Sequence, residues 1–246
     1  MTTDGLYRLL AWASPAFPIG GFSYSHGLEA AAADGMVHDR ATLAAWIGAV
    51  IRHGSGRVDA DILRDAWRAA AAGDAVALAA AERRGCAYRP TAELAVESAQ
   101  QGAAFCAAYQ AAWADPHPNP PPPAGEGDTA VGACHPPPPL AGEGWGGGAC
   151  HAAVFGAAAA RAGVSLSDAL TAYLHAFAAS LMSAGLRLGI VGQTDGQRIL
   201  AALESVVSEA VAASVLRDPE DFGAAAFAVD LLSMAHETQY TRLFRS

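Results

Sequence analysis

Lysine is missing from this chain: 15 of its 246 residues are basic, and every one of them is arginine. The absence removes whole chemistries. A P-loop needs its lysine to reach the terminal phosphates of a nucleotide, and Schiff-base catalysis needs an amine side chain, so Walker-type hydrolysis of GTP or ATP and pyridoxal phosphate chemistry are excluded. Cysteine is sparse as well. Cys86, Cys106, Cys134 and Cys150 form no C-x-x-C pair, and residues 1–13 lack the basic start and small-residue cleavage site of a secretory signal. A reducing cytoplasm is the expected compartment. Uninterrupted apolar runs of the roughly 20 residues that a membrane helix requires are also absent, because Arg, Asp or Glu breaks the most apolar segments. A soluble protein without a membrane partner is expected. Positive charge is the minority sign, with 15 basic against 24 acidic residues and a net charge of −9, which disfavours nucleic acid.

What is abundant is hydrophobic content, 52% of the chain, enough for one sizeable core. Its period is helical. In 41–53, Leu43, Trp46, Ile47, Val50 and Ile51 fall on one helix face. In 167–188, Ser167 reads as a cap, followed by Leu170, Tyr173, Leu174, Phe177 and Leu181. A further helix is expected from near Gly196, with Ile199, Leu200, Leu203, Val206, Val207 and Val211 as its stripe, ending before Pro219. Strand-type alternation is nearly absent. These patterns predict an all-α, single-domain helical bundle over 1–246, of about seven to ten helices. One tract departs from it: 116–150 holds most of the prolines and repeats the order His, proline run, AGEG, GAC. It reads as a disordered Pro/Gly-rich insertion, with helices ending near Trp113 and restarting near Val154.

Several stretches carry candidate chemistry. Cys134-His135 and Cys150-His151 offer thiol and imidazole ligands, but they are copies within the repeat, and ordering a loop to close a site is costly; no metal site is expected. HETQY, 236–240, has Tyr240 where H-E-x-x-H requires histidine, so a zincin is ruled out. GFSYS, 21–25, lacks the last glycine of a nucleophile elbow; a small helical hydrolase using Ser23 with His26 or His53 is the weaker alternative to a protein with no catalytic residue. GQTDGQRIL, 192–200, reads as a helix start capped by Thr194 or Asp195, with Asp195 opposing any phosphate there. The last residues, HETQYTRLFRS, keep Tyr240, Leu243 and Phe244 beside Arg242 and Arg245 to the final Ser246, a mixture suited either to a partner or to folding back on the body.

Taken together, SPAFPIGGFSYSHGLE (14–29), AELAVESAQQG (92–102), RLGIVGQTDGQRIL (187–200) and HETQYTRLFRS (236–246) resemble the urease accessory protein UreF family. The resemblance implies an all-helical cytoplasmic protein with no reaction of its own. It implies a homodimer that binds UreD (also called UreH), recruits the GTPase UreG and so serves nickel delivery to apo-urease. Nickel would be handled by the assembled complex, GTP would belong to UreG, and no cofactor would be tightly bound. In this reading 236–246 is a partner-binding tail, with Tyr240, Arg242, Leu243, Phe244, Arg245 and Ser246 as contacts. Pro15, Pro18, Gly20 and Gly21 shape a surface from which Tyr24, His26 and Glu29 are presented to a partner. Gly192, Gln193, Asp195, Gly196 and Arg198 form a structural or dimer motif.

Overall fold

A computed structural model describes residues 3–113 and 149–246. Helix α1 (Thr3–Trp12) leads through a 3₁₀ turn (Gly21–Ser23) to the short α2 (Leu28–Ala33), followed by α3 (Arg40–His53), α4 (Ser55–Ala72), α5 (Ala75–Ala87) and α6 (Ala92–Ala112). The second half holds α7 (His151–Arg161), α8 (Leu166–Arg187), α9 (Gln193–Ala202), α10 (Glu204–Leu216), a second 3₁₀ turn (Pro219–Asp221) and α11 (Phe227–His236). Among the described residues there is no strand, and the all-α fold stands. Among the described residues the helices number nine when six-residue α2 is left aside and α9 and α10 are taken as one rod interrupted at Leu203, within the expected range.

Local chemistry sets the helix starts. The Asp39 carboxylate accepts from Thr42 N at 2.8 Å and the Thr42 hydroxyl accepts from Asp39 N at 3.0 Å, a reciprocal cap that opens α3. The five apolar residues predicted for its inner face are all buried. Helix α8 is capped by Ser165, whose Oγ accepts from Asp168 N at 3.1 Å; Ser167, the expected cap, is already helical. The single rod expected from Gly196 instead begins at Gln193 and bends at Leu203.

The centre of the core is α4, although its sequence reads as polar. Eleven of its 18 residues are buried. Against it lies α7, whose alanines let two backbones approach; a Cβ at Gly156 would sit 2.5 Å from Leu63 O. Charge closes the other side. Arg217 Nη1 donates to both oxygens of Asp61, at 2.6 and 2.8 Å, and Arg64, 1% exposed, reaches Asp65 at 2.8 Å and Ser214 O at 2.7 Å. These contacts tie α4 to α10, and Arg84 of α5 adds an ion pair with Asp65. By length and composition, α8 and the joined α9–α10 are each apolar enough to cross a membrane; half of the most apolar window of α8 is buried against its neighbours here.

The Trp12 ring meets Phe105, Tyr109 and Trp113 at 5.6–6.1 Å between centroids and Phe155 at 6.5 Å, joining α1 to α6 and α7. Cys134, His135 and the repeat up to residue 148 lie outside the described residues. Its expected last residues are not an excursion from the folded body: Ala149 and Cys150 lie outside any helix but are buried, and α7 starts at His151 rather than near Val154.

Candidate functional site

Three of the stretches picked out in the sequence meet at one place. The turn 23–29, the first half of α6 and the tail after α11 form a groove with its own occupant. The Glu29 carboxylate accepts from Leu243 N at 2.7 Å and Phe244 N at 2.9 Å. Arg245 N donates to Ser23 O at 2.8 Å, and Ser25 N donates to Ser246 O at 2.7 Å, an oxygen the Ser25 hydroxyl also bonds. Ser246 Oγ donates to Glu97 Oε2 at 3.0 Å. The Phe244 ring is buried beneath the Arg187 guanidinium, 4.2 Å from its centroid.

The turn takes this path because His26 and Gly27 both adopt left-handed backbone, φ 53° and 71°. Gly27 is required twice over, since a Cβ there would lie 2.9 Å from Ser233 N of α11. Beside it, His236 is fully buried between two carboxylates, its Nε2 3.1 Å from Glu29 and its Nδ1 2.7 Å from Glu93. Glu93 also takes Arg242 at 2.6 Å, so the tail is held by side chain as well as by backbone.

This corrects the expectation that Tyr24, His26 and Glu29 are presented at the surface. They are 5%, 6% and 7% exposed, because the tail and α6 supply the partners that water would otherwise supply. The Tyr24 hydroxyl donates to Gln100 Oε1 at 2.7 Å, and burial, then the Glu97 charge, pushes the phenol up from its ordinary value. Phe244 and Ser246 are likewise enclosed, whereas Tyr240, Arg242, Leu243 and Arg245 face outward. The His26 ring lies 3.3 Å from Glu97 and edge-on to Phe177, and burial pulls its pKa down to about 4. No imidazole hydrogen bond reaches Ser23 Oγ among the described residues, and His53 sits at the exposed end of α3. The geometry gives Ser23 no activating base.

Next to Glu97 opens a cavity of about 410 Å³. Its polar wall was not foreseen. Asp59 of α4 lies 2.7 Å from Arg89 Nη2 and accepts from the Tyr173 hydroxyl at 2.9 Å, while Arg89 also donates to Cys150 Sγ at 3.2 Å. Burial pushes Glu97 up to about 8 and holds His151 down to about 4. Hydrophobic period cannot reveal such residues; the only local signal is the Asp61-Arg64 spacing one turn further along α4. The Cys150 thiol thus faces a cation, the reverse of a metal-ligand arrangement, and no cluster of three or more His, Cys, Asp or Glu residues able to hold a metal occurs among the described residues.

A match to the UreF family model covers residues 37–204. The chain belongs to the UreF family. Similarity to individual members extends further, over 98% of the chain. A urease accessory protein UreF from Granulibacter bethesdensis is 44% identical over 241 residues, 98% of this chain and 94% of the relative. Those from Rhodopseudomonas palustris (strain BisA53) and Agrobacterium fabrum are 41% and 43% identical over 241 residues, again 98% of this chain and 93% and 96% of theirs. Of the residues assigned to a structural or dimer motif in the UreF reading, Gly192 precedes α9, Gln193 opens it and Gly196 packs on Met182 of α8. Thr194 and Asp195 do not cap α9 as expected. Asp195 instead bonds Arg198 at 3.0 Å and Arg40 at 3.2 Å, and these contacts hold its carboxyl below the usual range while linking α9 to α3.

Proposed function

We propose that this chain acts in urease maturation as a docking scaffold rather than as a catalyst. Family membership supports the role in maturation. The finer reading is that, as a homodimer in the cytoplasm, it binds UreD (UreH), and that this complex recruits UreG, whose GTP hydrolysis it regulates or couples to the transfer of nickel, the cargo, into apo-urease. Neither nucleotide nor nickel is then a resident ligand of this chain. The observation that carries the proposal is the division of labour in the tail. Phe244 and Ser246 are enclosed anchors, while Tyr240 is fully exposed and Leu243 is 62% exposed beside two outward arginines. Apolar side chains displayed next to guanidinium groups on a fixed backbone are what a protein partner binds.

The test is a pull-down with UreD and UreG in which full-length protein is compared with a Tyr240→Ala/Leu243→Asp double variant. Both substitutions spare the enclosed anchors. UreD capture is expected to fall at least tenfold with helicity unchanged; undiminished capture of UreD and UreG by the double variant would overturn the assignment of the tail.

A further inference from the structure

Ser246 closes over a carboxyl group that has been given no guanidinium partner. The Glu97 side chain is 9% exposed, and no arginine makes an ion pair with it among the described residues. Its Oε1 accepts from Gln101 Nε2 at 2.9 Å; its Oε2 accepts from Ser246 Oγ at 3.0 Å and lies 3.3 Å from His26 Nδ1. An amide and a hydroxyl are neutral, and burial keeps the imidazole neutral as well. The remaining groups around it are already committed. Asp59 of α4 and Arg89 of the loop after α5 pair with each other at 2.7 Å, and Tyr173 of α8 donates to Asp59. His151 of α7 is held neutral by burial, and Tyr24 of the opening turn is bonded to Gln100. One turn earlier on α6, Glu93 is matched by Arg242 and His236, and on the tail the Arg245 side chain acts on Tyr24.

We propose that docking of the tail is proton-coupled through Glu97: the tail is held while this carboxyl carries its proton and is let go when it ionises. A protonated Glu97 can donate to His26 Nδ1 and leave no buried charge. An ionised one is an anion among neutral partners, and the tail, whose Ser246 closes over it, has no helix of its own to hold it there. The direction of the effect follows from where the group is buried. Desolvation raises it to about 8 when the tail is in place, with Ser246 pulling the other way; water admitted by departure of the tail would bring it toward the ordinary 4.5. The docked form therefore binds one proton more across that interval, and docking weakens as pH rises, by at most ~10-fold per pH unit, levelling off above about 8. This holds whatever surface the tail meets elsewhere, so it stands apart from the UreD assignment.

Tryptic cleavage after Arg242 reads the undocked tail. Full-length protein is digested at intervals from pH 6 to pH 9 and each rate is divided by that of a free peptide of sequence QYTRLFRS, which removes the enzyme's own pH dependence. The normalised rate is expected to rise at least tenfold and then plateau, and to be flat in Glu97→Gln. A flat wild-type profile, or the same slope in Glu97→Gln, overturns the proposal. Should Glu97→Gln lose its helicity, Ser246→Ala decides: removal of the hydroxyl that lowers Glu97 must move the midpoint to higher pH, and an unmoved midpoint overturns the proposal equally.

Discussion

Asp61 and Glu97 are both enclosed carboxylates on helices of the same core, yet Asp61 meets two guanidinium groups and Glu97 meets none. Around Asp61 the account is closed: Arg217 binds both its oxygens, Ser214 donates at 3.0 Å, and Arg64 bridges onward to Asp65. Around Glu97 the partners are an amide, a hydroxyl and a neutral imidazole. The first arrangement fixes two helices permanently. The second leaves the state of the site to a proton, and it is the second that lies under the tail. In a chain without lysine, where each arginine is placed decides which buried carboxylates are staples and which remain open to change.

That contrast can be broken most severely at Asp61. Asp61→Ala strands Arg64 and Arg217 beside a cavity, and a loss of about 3–5 kcal/mol in urea unfolding is expected, as for other buried pairs deprived of one member. A loss below about 1 kcal/mol would show that water has replaced the carboxylate. Next comes the pH dependence of folding. His26 and His151 are neutral in the fold down to about 4 but charge below 6.5 when unfolded, so their contribution is present above 6.5 and is lost as pH falls toward 4. Glu97 has the opposite sign: it is protonated in the fold up to about 8 but ionises above 4.5 when unfolded, so its contribution shrinks as pH rises to 8. Stability should therefore peak near pH 6.5 and decline by at most about 2 kcal/mol toward pH 8, and the decline should vanish in Glu97→Gln. Smallest of all is the surface pair of α9. Arg198→Ala should leave the melting temperature unchanged, because both side chains are largely in water, and a drop of several degrees would mean that this pair carries load in an assembly.

Much of the frame was legible in the sequence because burial and period coincide there. In α3 every large apolar residue at i, i+3, i+4, i+7 and i+8 went inside, and in α8 all but half-buried Phe177 did so. Legibility failed where the buried face is polar. Helix α4 alternates Asp, Arg and alanine, and nothing in its period announces that Asp59, Asp61 and Arg64 are interior; only partners from α5, α8 and α10 make that affordable. The groove was half legible. Glycine and aromatic content marked 14–29 and 236–246 as special, and the alternative that the tail folds back was open, but bonds between Glu29 and the amides of Leu243 and Phe244 join residues more than 200 positions apart. Main-chain amides carry no sequence signature, so the clamp had to be seen.

The crowding of rings around Trp12 has a practical corollary. Trp12 and Trp113 sit nearly perpendicular at 5.9 Å among further aromatics, in asymmetric and rigid surroundings that give a strong near-ultraviolet circular dichroism signal. The segment after α11 contains no tryptophan, its aromatic residues being Tyr240 and Phe244, so it adds nothing of its own to the tryptophan bands of that spectrum. Loosening of α1 and departure of the tail can thus be told apart by light alone, without a label, in a chain that offers no lysine for attaching one.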